Sequence, residues 1–306
     1  SDGLHTMFTH TPLLQDMIDD TRIQFIICKT DSYWSRDWGP FWVHSYDTIS
    51  DTDNHATYTN HSFGIVHFEY NRPRTNDDHV AFVLAKHFGV DYYEEEEMRN
   101  TGGNYMTNGC NVAAATHIVY TENHQYCANL TDVIHPLLPS CQYIDDVMRR
   151  LLGIQQFYVF HDPLDTYIDH IDCWAKFLSP RKILIKRLSE TDERYEEMES
   201  IVAYWQTTLD SFGRHWEIYR VDAPNDEPYA NSFMLNSKVF VPLMLNDTVL
   251  NEHAINVYKK ALPDHQILGF YSLGDIQWKS TDSLHCRMKG VPDLQYIARH
   301  TNHLCA

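Results

Sequence analysis

A recurring succession of strand, strand, helix and strand constrains the fold of this chain more than any other feature. Apolar runs mark strands at 23–28, 41–43, 65–70, 113–120, 157–160, 182–187, 217–221, 233–235, 238–241 and 266–271. Helical periodicity falls between them. At 77–88 the apolar set is Val80, Phe82, Val83, Leu84 and Phe88, with Gly89 as the stop. At 192–212 the inner face is Tyr195, Met198, Ile201, Val202, Trp205 and Leu209. Further helices are expected at 13–19, at 251–261 and, broken by Pro136 and Pro139, within 131–152. Hairpin-like pairs such as 233–235 with 238–241 interrupt the alternation, so the rhythm is ββαβ rather than plain βαβ. It suggests several similar α/β modules around a centre. Strand ends far apart in sequence would then converge on one pocket.

Composition limits what that pocket serves. The 43% hydrophobic content of the 306 residues supplies a substantial core. No run of about 18 apolar residues exists, so no membrane span is expected. A net charge of -18 argues against nucleic-acid binding and favours encounter with cationic ligands, although acidity also simply keeps a protein in solution. The chain opens on Ser1 rather than Met, compatible with a trimmed product. Of seven cysteines none forms a CxxC pair; with Cys286 free, the other six allow three disulfides. These cysteines, with sequons at Asn60, Asn129 and Asn246, point to a secreted protein.

Several polar clusters interrupt the apolar runs. Arg36 and Asp37 lie between two strands, flanked by Trp34 and Trp38. They form either an ion pair closing a turn or a carboxylate in an aromatic-walled pocket suited to a planar cation. Arg72 and Arg74 flank Pro73 on an extended segment, where two guanidinium forks could face one carboxylate or simply be solvated. The stretch 46–62 reads as a surface loop, and the acidic run 94–97 as a solvated face without an EF-hand pattern. Gly102 and Gly103 mark a tight turn with close backbone approach. His170 and Asp172 are two apart and on a strand would share a face, as a proton-transfer pair or a satisfied core histidine. No third and fourth metal ligand stands at plausible spacing. Near the C-terminus, Cys286 lies among His285, Arg287 and Lys289, whose positive charge would lower the thiol pKa and favour the nucleophilic thiolate.

Together, the stretch 34–40, Gly102-Gly103-Asn104, His170-Ile171-Asp172 with Lys176-Phe177-Leu178, Tyr229-Ala230-Asn231-Ser232 and His285-Cys286 resemble the guanidine-modifying enzymes. The closest likeness is to the bacterial, Porphyromonas-type peptidylarginine deiminases, relatives of the agmatine deiminases, and it runs from about residue 22 to 292. Asn71-Arg72-Pro73-Arg74 tilts it towards the peptidylarginine branch. The resemblance implies a five-bladed α/β propeller, pentein-like, with part of the first module missing ahead of residue 22, and residues 1–306 as a single catalytic domain. It implies calcium independence, no cofactor, and arginine-containing peptides or proteins as partners. Cys286 would attack the guanidinium carbon and His170 would move the protons. Asp37 and Asp172 would clamp the substrate, and Asn231 would orient it and the thiol. Trp34, Tyr167 and Ile168 would line the pocket, and Arg72 and Arg74 would hold a C-terminal carboxylate. The alternatives are an agmatine or free-arginine deiminase and, in another class, a catalytically silent propeller used for binding. A papain-like protease fits poorly, because its cysteine precedes its histidine in the chain.

Overall fold

The computed structural model describes residues 23–50, 56–127, 136–210, 213–294 and 297. The helix expected at 13–19, the sequon at Asn129 and the segment 131–135 fall outside them. Four three-stranded sheets follow one another along the chain, each a ββαβ module. The first has β1 (Phe41–Ser50), β2 (Ala56–Glu69), α1 (Thr75–Phe88) and β3 (Asp91–Arg99). The second has β4 (Met106–Thr107), β5 (Val112–Thr116), α2 (Ile118–Thr121), α3 (Gln142–Leu152) and β6 (Gln156–Phe160). The third has β7 (Ala175–Ser179), β8 (Lys182–Arg187), α4 (Tyr195–Thr207) and β9 (Glu217–Asp222). The fourth has β10 (Phe233–Leu235), β11 (Lys238–Pro242), α5 (Thr248–Ala261) and β12 (Gln266–Phe270). In every module the first two strands pair antiparallel and the helix carries the chain to a parallel third strand.

The middle strands explain how modules stack. Side chains alternate across a strand, and in β5 both faces are buried: Val112 and Ala114 join one core with Phe160, Trp174 and Ile183, while Ala113 and Ala115 join another with Phe41, Val66 and Phe68. In β8, Ile183 and Ile185 enter the first of these cores, and Leu184 enters a third with Val221, Val239 and Tyr258. Consecutive modules thus share a core. Alanines at the centre of β5 leave room for the large aromatics on either side.

The fourth module meets the segment ahead of the first through polar contacts. Arg36 N donates to Cys286 O at 3.2 Å, and Ser35 Oγ to Arg287 O at 3.0 Å. Asp282 accepts from Trp34 Nε1 at 3.1 Å and from Arg287 Nε at 2.8 Å. On its other side this segment is tied to α1: buried Asp77 accepts from Asp31 N at 2.7 Å and Ser32 Oγ at 2.8 Å.

Several expectations need correction. The five-bladed ring is not completed among the described residues, which contain four modules and sheets that do not close. The stretch 23–28 is not a strand, having no neighbour in a sheet. The polar stretch 46–62 is mostly not loop, because β1 and β2 run through it as a long hairpin. The acidic run 94–97 does face solvent as expected, Glu95 alone being half-buried, but it lies on a strand, β3 at the edge of its sheet, where Glu95 pairs with Arg150 at 2.8 Å. Three disulfides do not form: Cys127 bonds to Cys141, but Cys28 and Cys173 are free thiols. Cys173 is fully buried beside Asp172, and Cys28 packs against the small cluster of Trp38, Tyr70 and Val80.

Candidate active site

The loop just ahead of each module's first strand carries one polar cluster: Asp37 before β1, Gly102–Asn104 before β4, His170–Asp172 before β7 and Asn231 before β10. Cys286 follows β12. His170 and Asp172 are not on a strand. A single 3-10 turn, Ile171–Cys173, separates their side chains, and both are 3% exposed. Asn104 pins that turn. Its buried Oδ1 accepts from Thr116 N at 2.9 Å, Thr116 Oγ1 at 2.9 Å and Ile171 N at 3.2 Å. The two glycines before it make room: a Cβ on Gly102 would lie 2.0 Å from Arg36 O, and one on Gly103 2.5 Å from His170 Nδ1 and 2.6 Å from Asp37 Oδ1.

The clusters meet. His170 Nδ1 lies 3.7 Å from Asp37 Oδ1, and neither atom has a hydrogen-bond partner although both are buried. Asn231 Nδ2 donates to Cys286 Sγ and to Asp172 O, both at 3.2 Å. Asp172 Oδ2 is 3.8 Å from Cys286 Sγ and 2.6 Å from His285 Nδ1. The site therefore gathers one thiol, two carboxyls, two imidazoles and an amide, most of them buried. Buried polar atoms left without a partner, as Asp37 Oδ1 and His170 Nδ1 are, mark a candidate functional site.

Of the other pocket candidates, Trp34 is half-buried, and Arg74 places its guanidinium 4.8 Å over the indole and 5.6 Å over the Tyr70 ring. Arg72 is exposed. Tyr167 stands 78% exposed, and Ile168 packs on the core shared by the second and third modules. The sequence motifs contained Lys176 without a role. It is 7% exposed on β7, where burial and Arg36 press its pKa down to about 7 against the pull of Asp172 and Cys286.

The electrostatics reverse one expectation. Cationic neighbours were to lower the Cys286 pKa; burial, Asp172 and Asp37 instead raise it well above the ordinary thiol value. The adjacent bases act elsewhere. Arg287 is bound to Asp282 and stacks 4.8 Å from the Tyr33 ring, while Lys289 sits 4.8 Å over Phe41 and is pressed towards neutrality by burial and Arg36. Burial, with Arg72 adding to it, holds His170 neutral, its pKa pressed down to about 3. Burial and Asp172 push Asp37 well above the carboxylate range, and burial lifts Asp172 to about 6 despite Lys176 and Arg36. Two carboxyls crowded in a dry pocket call for a cation between them. Among the described residues, no group of three or more histidine, cysteine and acidic side chains could hold a metal ion.

Residues 5–292 match the family model for the Porphyromonas-type peptidyl-arginine deiminases. The chain belongs to this family. A Vibrio parahaemolyticus protein provisionally named agmatine deiminase is 24% identical over 259 residues, covering 73% of this chain and 67% of that protein. Two solved structures share the fold. One is a Porphyromonas gingivalis protein provisionally named arginine deiminase, with a TM-score of 0.69 at 18% identity, covering 92% of this chain and 80% of that one. The other is an agmatine deiminase of Enterococcus faecalis, with a TM-score of 0.66 at 18% identity, covering 89% and 80%. The architecture is thus the α/β fold of pentein-type deiminases, and the chain is a guanidine deiminase by family.

For a deiminase, the raised carboxyl pKa values set a pH limit. A guanidinium is held only by ionised carboxylates, and Asp172 takes up its proton as pH falls through about 6. We expect kcat/KM to fall with falling pH, through KM, as Asp172 and the still more strongly raised Asp37 take up protons, in a steady-state pH profile.

Proposed function

We propose that this deiminase hydrolyses the guanidinium of an arginine with a free α-carboxylate, at the C-terminus of a peptide, giving citrulline and ammonia. The observation carrying the reading is the cationic rim. Arg74 is stacked on Trp34, whose indole is itself anchored to Asp282, and its charge acts on Asp37; the charge of Arg72 acts on His170. Two cations this near the acids repel a second ammonium and attract a carboxylate.

The chemistry follows from the charge state. A guanidinium entering between Asp37 and Asp172 restores both to carboxylates and makes the neighbouring thiolate affordable. The Cys286 proton passes to His170, whose imidazolium is stabilised by Asp37, and Sγ bonds to the guanidinium carbon. His170 returns the proton to one NH2 group of the tetrahedral adduct, which leaves as ammonia, and a thiouronium remains on Cys286. His170 then takes a proton from water, whose oxygen bonds to the same carbon. The C–S bond breaks as the carbonyl forms, the hydroxyl proton is lost to solvent, His170 returns its proton to the Cys286 thiolate, and the ureido product departs as citrulline. Asn231, donating to Sγ, keeps the sulfur aimed. Only the chain's own groups and water are used.

A second reading, agmatine as substrate, is favoured by one feature besides the names of the relatives. Glu122 accepts from Asn71 Nδ2 at 2.5 Å, next to Arg72 in sequence, and could receive an amine once ionised; burial now holds its pKa at about 7. Matched kinetics on a peptide ending in arginine, a peptide with internal arginine, and agmatine separate the two. We expect the first to be preferred, and Arg72→Ala with Arg74→Ala to raise its KM by about 10- to 100-fold while agmatine turnover holds or improves. Agmatine as best substrate, with the double substitution silent on the peptide, would overturn the carboxylate reading.

A further inference from the structure

His285 has no part in the reaction as written, yet it makes the shortest contact to a reacting group. Its Nδ1 lies 2.6 Å from Asp172 Oδ2, with the ring 13% exposed and the carboxyl 4%. We propose that His285 is a positioning residue for Asp172, its Nδ1–H fixing the plane of the carboxylate that receives the substrate guanidinium. The proposal rests on the deiminase reading.

The terminal torsion of an aspartate is soft and roughly two-fold, so the backbone does not set the carboxylate plane. The Asn231 amide also acts on this group, but from the backbone side, where its Nδ2 donates to Asp172 O, and the thiol contacts are weak: Cys286 at 3.8 Å from Oδ2 and Cys173 at 3.9 Å from Oδ1. His285 supplies a strong one, and it is held to do so. Its backbone N donates to Asn231 O and to Asn231 Oδ1, each at 3.1 Å, so the residue is fixed on the same asparagine that holds Cys286. Burial, and after it the charge of Arg36, keep the ring neutral. A neutral ring facing a carboxylate through Nδ1 must carry its proton there and donate it. That hydrogen bond takes one lone pair of Oδ2 and leaves the rest of the carboxylate for a guanidinium. It also ties the clamp Asp172 to the loop that carries the nucleophile, since His285 and Cys286 are adjacent. The charged and titratable groups facing Asp172 come from every side: Arg36 and Asp37 ahead of β1, Lys176 on β7, Cys173 beside it and Cys286.

The test uses His285→Ala, His285→Asn and His285→Gln. Asparagine offers an N–H near the place of Nδ1; glutamine offers one near the place of Nε2. For His285→Ala we expect KM to rise by about 10-fold or more with kcat changed much less, and the acid limb of kcat/KM to move to higher pH by about one unit, because the charged carboxylate has lost a donor. Asparagine should restore both and glutamine neither. A fall in kcat with KM and the acid limb unmoved would make His285 a proton carrier and overturn the proposal, as would equal defects in all three variants. A second readout needs no turnover. Ring 15N shifts of the wild-type protein should show Nδ1 protonated and Nε2 not, with a downfield Nδ1 proton that disappears in Asp172→Ala. If the wild type converts no guanidine at all, the deiminase reading fails while this spectrum still decides the hydrogen bond; absence of the Nδ1 proton overturns it.

Discussion

Replacing Cys286 by serine is expected to lower kcat for any guanidine substrate by at least about 10⁴-fold, the scale of losing a covalent nucleophile. The loss is chemical rather than structural. Serine is nearly isosteric, and Asn231 Nδ2, now 3.2 Å from Sγ, can donate to a hydroxyl oxygen as well. A hydroxyl, however, is a far weaker acid than a thiol. The pocket already pushes the thiol well above its ordinary pKa through burial and two carboxyls, so an alkoxide is out of reach even with a guanidinium bound. Ammonia release measured beside a thermal melt checks this: activity should vanish with Tm nearly unchanged. Retained turnover in the serine variant would remove Cys286 from the mechanism.

Gly103→Ala should cost about 10²-fold or more in kcat/KM from a single added methyl group. The new Cβ would lie 2.5 Å from His170 Nδ1 and 2.6 Å from Asp37 Oδ1, so both the proposed proton carrier and one proposed clamp must shift. Displacing reacting groups by about 1 Å is enough for a loss of that size. Overpacking costs roughly 1–3 kcal/mol, which a folded chain can carry. Gly102→Ala is a different case. Its Cβ would meet the backbone oxygen Arg36 O at 2.0 Å, and a backbone cannot yield as a side chain can, so that change should be read first in stability. Steady-state kinetics with a melting curve for each variant separate the two.

Local pattern carried much of the fold. β8 was legible residue for residue, because an apolar run sits between charged ends, and both faces of that strand are buried. The helix at α4 was legible from its inner stripe, although the chain leaves the helix at Thr207, earlier than the stripe suggested. The misreadings share a cause. The run 94–97 was legible as a solvated face but not as a strand, because its pairing with β2 is decided by partners far away in sequence. The spacing of His170 and Asp172 suggested a strand, but a 3-10 turn, fixed by Asn104 from the preceding module, brings the two inward as well. The polar clusters were legible as motifs because most of them sit in the loop ahead of a module's first strand, with Cys286 after the last strand. Their electrostatics were not. His285, Arg287 and Lys289 are next to Cys286 in sequence, yet Asp172 and Asp37, from other modules, set the direction of its pKa. The bond between His285 and Asp172 joins residues 113 apart and leaves no local trace.

The most direct test of the central claim is rapid-quench mass spectrometry of the protein during turnover of a peptide ending in arginine. The account predicts a transient adduct with the mass of the substrate less ammonia, carried on the peptide that contains Cys286, and absent from Cys286→Ser. Turnover to citrulline with no adduct at any quench time, or an adduct on another residue, would contradict it.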